Sequence, residues 1–116
     1  MLKYLHYDTE YEIKLQLTQY ADGQLALTST CYDKEYDFWE PFGTFTVNLN
    51  YEDNDPAPED CAYLDTNNMP NVEDWIKENG LGEPTGITKQ SGYCTYPLYR
   101  LDIAKIKSII AQQDKE

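Results

Sequence analysis

The residues best suited to chemistry fall into an acidic, aromatic group and a polar group. Residues 32–41 read YDKEYDFWEP, which sets Tyr36, Phe38 and Trp39 among Asp33, Glu35, Asp37 and Glu40. Rings interleaved with carboxylates suit a basic groove, because Tyr and Trp anchor interfaces and acids complement cations. The same rings read equally well as half-buried strand residues. Residues 52–60, EDNDPAPED, add Glu52, Asp53, Asp55, Glu59 and Asp60 without a base. Such a stretch cannot offset its chain entropy by burial, so it reads as a solvated loop. It lacks the glycine and the ligand spacing of an EF-hand loop.

The polar group is Asp65, Asn67, Asn68, Ser91 and Cys94. If these side chains converge on one pocket, Asp65 can serve as half of a carboxylate pair or as a ligand, and Cys94 as a nucleophile. A thiolate nucleophile needs a base, and His6 is the sole histidine. The plainer reading gives Asp65 and its Asn neighbours to the backbone of a turn. Gly80, Gly82 and Gly86 look superficially like a phosphate loop, but they follow a helical stretch instead of opening one, and no GK[ST] follows. Cys31, Cys61 and Cys94 form no CxxC pair, which excludes the usual structural zinc patterns and points to reduced, partly buried thiols. No metal or cofactor is expected.

Charge separates the two halves of the chain. Residues 1–65 carry 14 Asp or Glu against 3 Lys, a balance of −11, whereas residues 66–116 carry 7 acids against 6 bases, a balance of −1. The total of −12 exceeds the magnitude of about 2–8 that is comfortable for a small domain. The acidic half disfavours DNA, RNA and anionic membranes as direct partners and favours a basic, nucleic-acid-binding protein. No apolar run approaches the roughly 20 residues that span a bilayer, and the start MLKYLHYDTE lacks a signal-peptide core. A cytoplasmic location follows as an expectation.

These groups need elements to position them. At 116 residues the chain is expected to form one domain over 1–116. Tyr11, Ile13, Leu15 and Leu17 alternate with polar residues, which predicts a half-buried strand. Asp22-Gly23 predicts a hairpin turn, and Leu25, Leu27, Ser29 and Cys31 continue one face of the returning strand. Residues 32–41 fit a hairpin loop, an edge strand or an exposed patch. Phe42 to Tyr51 predicts a third strand, with Phe45, Val47, Leu49 and Tyr51 on one face, and Cys61 to Leu64 a short fourth.

Asn71 with Asp74 three residues later predicts a helix N-terminus, and Val72, Trp75 and Ile76 share its apolar face. Asn79-Gly80-Leu81 predicts a Schellman ending. Gly82, Gly86 and Gly92 then punctuate a loop through Pro84. Tyr93 to Leu101 is extended, and Pro97 confines it to a sheet edge or a loop. Asp102 caps a last helix with Ile103, Ile106, Ile109 and Ile110 as its stripe. The sum is an α+β fold, an antiparallel sheet of four to five strands with two helices packed against it.

The segment DTNN-x-P, a short helix ending in ENGLG, then TG, then SGYC-x-YPLY resembles a family of small uncharacterised proteins. They are carried by plasmids, conjugative elements and phages of low-GC Gram-positive and gut bacteria. The matching residues are Asp65 to Asn68, Pro70, Glu78 to Gly82, Thr85-Gly86, Ser91 to Cys94 and Tyr96 to Tyr99. The hairpin at Asp22-Gly23 and the strand at Thr46 to Leu49 also fit. The resemblance implies a mobile-element accessory protein with a domain of unknown function, and it carries no catalytic residues. The leading expectation is thus an acidic, non-enzymatic interaction protein that binds a basic protein, with carboxylates standing in for phosphates. The alternative is a small enzyme or ligand binder with a pocket in the Asp65–Tyr99 segment.

Overall fold

The computed structural model describes residues 2–21, 23–49 and 60–113. The strand expected from Tyr11 is β2, Thr9–Gln19, and its return is β3, Leu25–Asp33. Gln19 pairs with Leu25 across the turn, and Gly23 takes a φ of +87°, a value that glycine adopts without a Cβ clash. Asp22 lies outside the described residues. A strand not anticipated from the sequence, β1 (Leu2–His6), pairs antiparallel with β2. Beyond β3 a hairpin leads to β4, Phe38–Thr44, an edge strand.

The fold is α+β with antiparallel strands and two helices, but the strands form two four-stranded sheets instead of one. Sheet A has the order β1-β2-β3-β4. Sheet B has the order β5-β6-β8-β7, with β5 at Thr46–Val47, β6 at Cys61–Leu64, β7 at Gly82–Ser91 and β8 at Cys94–Leu101. The expected third strand is split between them. Phe45 is the joint: its N–H donates to the Leu27 carbonyl of sheet A at 2.8 Å, and its carbonyl accepts from Asp65 N–H, beside sheet B, at 2.8 Å. The bend puts Phe45 in the main core and Val47 and Leu49 in another cluster, so the alternation does not mark a single buried face. Thr46, expected to face outward, is buried, and its hydroxyl accepts from Leu27 N–H. Asn50 and Tyr51 lie outside the described residues.

The stretch through Pro84, expected as a loop, is edge strand β7. Gly86, at a φ of +87°, sits in its bulge between Pro84 and Thr88. Gly82 packs where a Cβ would meet the Arg100 carbonyl oxygen at 2.6 Å. Pro97 lies in β8, a central strand, against the expectation of an edge. Residue parity explains why it fits: Leu101 N–H donates to Asp60, so odd residues of β8 face β6. The ladder to β6 runs through Tyr63↔Leu98 and stops there. The Leu64 carbonyl, which a donor at position 97 would otherwise serve, accepts from Thr66 N–H at 3.0 Å.

Helix α1 (Val72–Glu78) ends as expected, with Leu81 N–H donating to Ile76 and Gly80 N–H to Lys77. Its start differs. Asn71 makes no side-chain cap; its Nδ2 donates to the Leu5 carbonyl of β1 at 2.7 Å. One turn on, Trp75 Nε1 donates to the Lys3 carbonyl at 2.7 Å. β1 is an edge strand, and the carbonyls of Lys3 and Leu5 point away from β2 at that open edge. Helix α1 therefore finishes that edge with side chains. Helix α2 (Ile103–Gln113) is capped by Asp102, whose carboxylate accepts from Lys105 N–H at 3.0 Å.

The main core lies between the sheets and both helices, with Tyr4, Ile13, Leu15, Leu27, Phe45, Leu64, Trp75, Ile76, Tyr99 and Ile106 all buried. Burying each such side chain contributes about 1.5–3 kcal/mol. Tyr4 is its aromatic hub, in ring contact with Phe42, Phe45 and Trp75. A smaller cluster of Leu49, Cys61, Tyr63, Tyr96 and Leu98 covers the opposite face of sheet B. Among the described residues, no helix is long and apolar enough to cross a membrane.

Candidate functional site

The acidic and aromatic stretch resolves into the β3–β4 hairpin. Its four-residue turn, Lys34 to Asp37, is built by its own acids. Asp33 Oδ1 accepts from the Glu35 and Tyr36 amides, and Asp37 N–H donates to the Asp33 carbonyl. Asp37 holds a φ of +55°, which a short polar side chain tolerates. Its carboxylate accepts from the Tyr32 hydroxyl. Asp33 and Asp37 thus serve the turn as well as the field. Glu35, Tyr36 and Phe38 are exposed, and the Tyr36 and Phe38 rings lie 6.4 Å apart. Glu40 points inward beside Cys31, with Sγ and Oε1 3.9 Å apart. Burial and this carboxylate raise the Cys31 thiol above its usual range.

Sheet topology brings further residues to the same place. Successive antiparallel strands put the β1–β2 and β3–β4 turns at one end of sheet A. The first of these turns carries Tyr7 and Asp8, followed by Glu10 and Glu12 on β2. Tyr7 is 67% exposed at a φ of +55°. That backbone region disfavours a bulky L-residue by about 1–2 kcal/mol. Glu12 stands abreast of Tyr32 across the β2–β3 ladder. The hydrogen bond to Asp37, partial burial and the charges of Asp37, Glu12 and Asp33 all raise the Tyr32 hydroxyl above the usual tyrosine range. This end of the sheet was only half legible in the sequence, because β1 is short and lies at the start of the chain. The alternation of Tyr4 and His6 with Lys3 and Leu5 was the available signal.

Glu52, Asp53, Asp55 and Glu59 lie outside the described residues. Asp60 is not at the sheet A end. It directly precedes β6, where its carboxylate pairs with Arg100 at 3.3 Å and accepts from Cys61 Sγ at 3.4 Å. A cleft of about 460 Å³ opens there beside Glu83 and Asp102. Among the described residues of the expected patch, Asp60 thus stands apart from the β3–β4 hairpin. Those of the β3–β4 hairpin do come together, joined by the β1–β2 turn.

The polar group divides as well. Asp65 is buried, and both its carboxylate oxygens accept from Asn68, from the backbone N–H at 3.2 Å and from Nδ2 at 2.9 Å. It satisfies a turn. Asn67 is exposed on that turn. Ser91 and Cys94 face each other at the mouth of the β7–β8 hairpin, whose tip carries the exposed Tyr93. Cys94 and Asp65 both act on Tyr96: a hydrogen bond with Cys94, partial burial and the charges of Cys94 and Asp65 raise its hydroxyl. His6 meets the Tyr7 and Phe42 rings edge-on at sheet A, whereas Cys94 packs against the cluster on sheet B. Among the described residues, no group of three metal-ligating side chains is present.

Residues 14–114 match a protein family described as Domain of unknown function (DUF4313), and the chain belongs to it. No curated protein and no solved structure matches the chain.

Proposed function

Starting from membership in a family without an assigned role, we propose that the protein is a non-enzymatic binding module for a basic protein, engaged through the turn end of sheet A. The observation that carries this reading is the convergence of exposed Tyr7, Tyr36 and Phe38 with Asp8, Glu10, Glu12 and Glu35 on two neighbouring hairpins. Rigid hairpins fix the rings at little entropic cost, and the rings anchor the partner. The acids steer it and set a salt dependence. A strained tyrosine at the tip of a turn supports the same reading, since backbone strain collects where a side chain has a use.

The partner is a nucleic-acid-binding protein, with the carboxylates in the place of phosphates; the setting is the mobile element that the motif resemblance implies, and the cytoplasm that the start of the chain led us to expect. The test compares two variants of equal charge. Glu10→Gln with Glu12→Gln and Glu35→Gln removes acids from the turn end. Asp74→Asn with Glu78→Gln and Glu83→Gln removes as many from α1 and β7. The first set should weaken binding of a lysine-rich peptide at least threefold more than the second. Equal effects would mean that net charge alone acts, and the reading would fail.

A further inference from the structure

On the outer face of sheet A, Lys14 of β2 reaches across β3, and its Nζ lies 4.4 Å from the Trp39 ring centroid on β4. The Tyr32 ring meets Trp39 at 5.4 Å with a 47° interplanar angle, so the two rings form a corner beside the Trp39 face that the cation occupies. Among the described residues, the Lys14 ammonium has this ring as its partner and no carboxylate within salt-bridge distance. The Tyr32 hydroxyl donates to the Asp37 carboxylate, and Glu12 continues the β2–β3 register opposite Tyr32, one residue past the Ile13↔Cys31 pair. A cation held by a ring, with acids nearby, is the arrangement by which proteins recognise ammonium groups.

We propose that the Tyr32–Trp39 corner is the seat for a lysine ammonium of the basic partner, and that Lys14 fills it in the free protein. This inference rests on the binding reading above and names the group that is bound. Lys14 is well suited to yield. Its head is a point charge on a flexible four-carbon stem, and an exposed cation–π contact is weak. A partner lysine carried in by the field of Glu12 and Asp37 takes the ring face, and Lys14 swings out to water. The chemistry is exchange of one cation for another, with no covalent step.

The test is the affinity of a dye-labelled oligolysine peptide, read by fluorescence anisotropy. Lys14→Thr shortens the side chain and vacates the corner, whereas Lys34→Thr removes the same charge from the adjacent turn. Lys14→Thr should bind about two- to fivefold tighter than Lys34→Thr. Adding Trp39→Leu should abolish that gain, and adding Trp39→Phe should leave part of it, which separates loss of the ring from loss of folding. If Lys14→Thr and Lys34→Thr bind alike, or if the gain survives Trp39→Leu, Lys14–Trp39 is a cross-strand surface pair only and the inference falls. The binding reading would still stand wherever the turn-end glutamates outweigh their charge-matched controls, so the two failures are distinguishable.

Discussion

The side-chain amide of Gln113 lies flat against the backbone of Leu15. Its Oε1 accepts from the Leu15 N–H at 2.8 Å, and its Nε2 donates to the Leu15 carbonyl at 3.1 Å. Strand β1 pairs with β2 only as far as Ile13, so Leu15 presents both backbone groups where a further strand would pair. The last residue of α2 therefore acts as a single peptide unit of a missing strand.

Gln113→Ala should cost about 1–2 kcal/mol, since it strips both partners from a part-buried edge. Urea denaturation would read the loss, and amide exchange should quicken at Leu15. Gln113→Glu keeps the acceptor but not the donor and should recover only part.

Asn71 distinguishes a cap from an edge clasp. Asp caps helices as well as Asn does, but it cannot donate to the Leu5 carbonyl. Asn71→Asp should therefore destabilise by about 1 kcal/mol, with faster exchange in β1. An unchanged melting curve would return Asn71 to the role of a helix cap.

Tyr7→Gly should stabilise the domain by about 0.5–1 kcal/mol, because glycine relieves the positive φ at the loss of an exposed ring contact with His6. The same variant should bind a lysine-rich peptide more weakly. A gain in stability with unchanged binding would remove Tyr7 from the site.

Alkali should unfold the protein through its buried tyrosines. Burial raises the Tyr4 hydroxyl to about 12, opposed by the Asn71 backbone amide, and among the described residues it makes no hydrogen bond of full geometry. Burial and the hydrogen bond to Glu73, at 2.8 Å, raise Tyr99 as well. The unfolded chain ionises these groups near pH 10. Their contribution is complete below that value and is lost as pH rises toward 12, by about 2 kcal/mol for Tyr4. Tyr4→Phe should flatten the fall in stability over this window; an unaltered alkaline transition would show that Tyr4 does not govern it.

Local patterns in the sequence were faithful where one residue's environment was set by its neighbours. The β2–β3 hairpin, the Gly80 ending of α1 and the Asp102 cap all follow from short-range chemistry. The division into two sheets was not legible, because the alternation through Phe45 is unbroken while the backbone changes partner there. Pro97 misled for a similar reason. A proline forbids one hydrogen bond, not a central position, and only the tertiary register shows which bond would have been absent. At the site, the residues of the β3–β4 hairpin were legible as a contiguous run, whereas Tyr7, Glu10 and Glu12 join them only through strand order.

The clasps on sheet A come from positions 71, 75 and 113, all later in the chain than the strands they finish. A chain made from its N-terminus therefore carries the edge groups of Lys3, Leu5 and Leu15 before it carries the side chains that finish them. Bare strand edges invite pairing between copies, and a balance of −11 over residues 1–65 opposes the approach of one such segment to another.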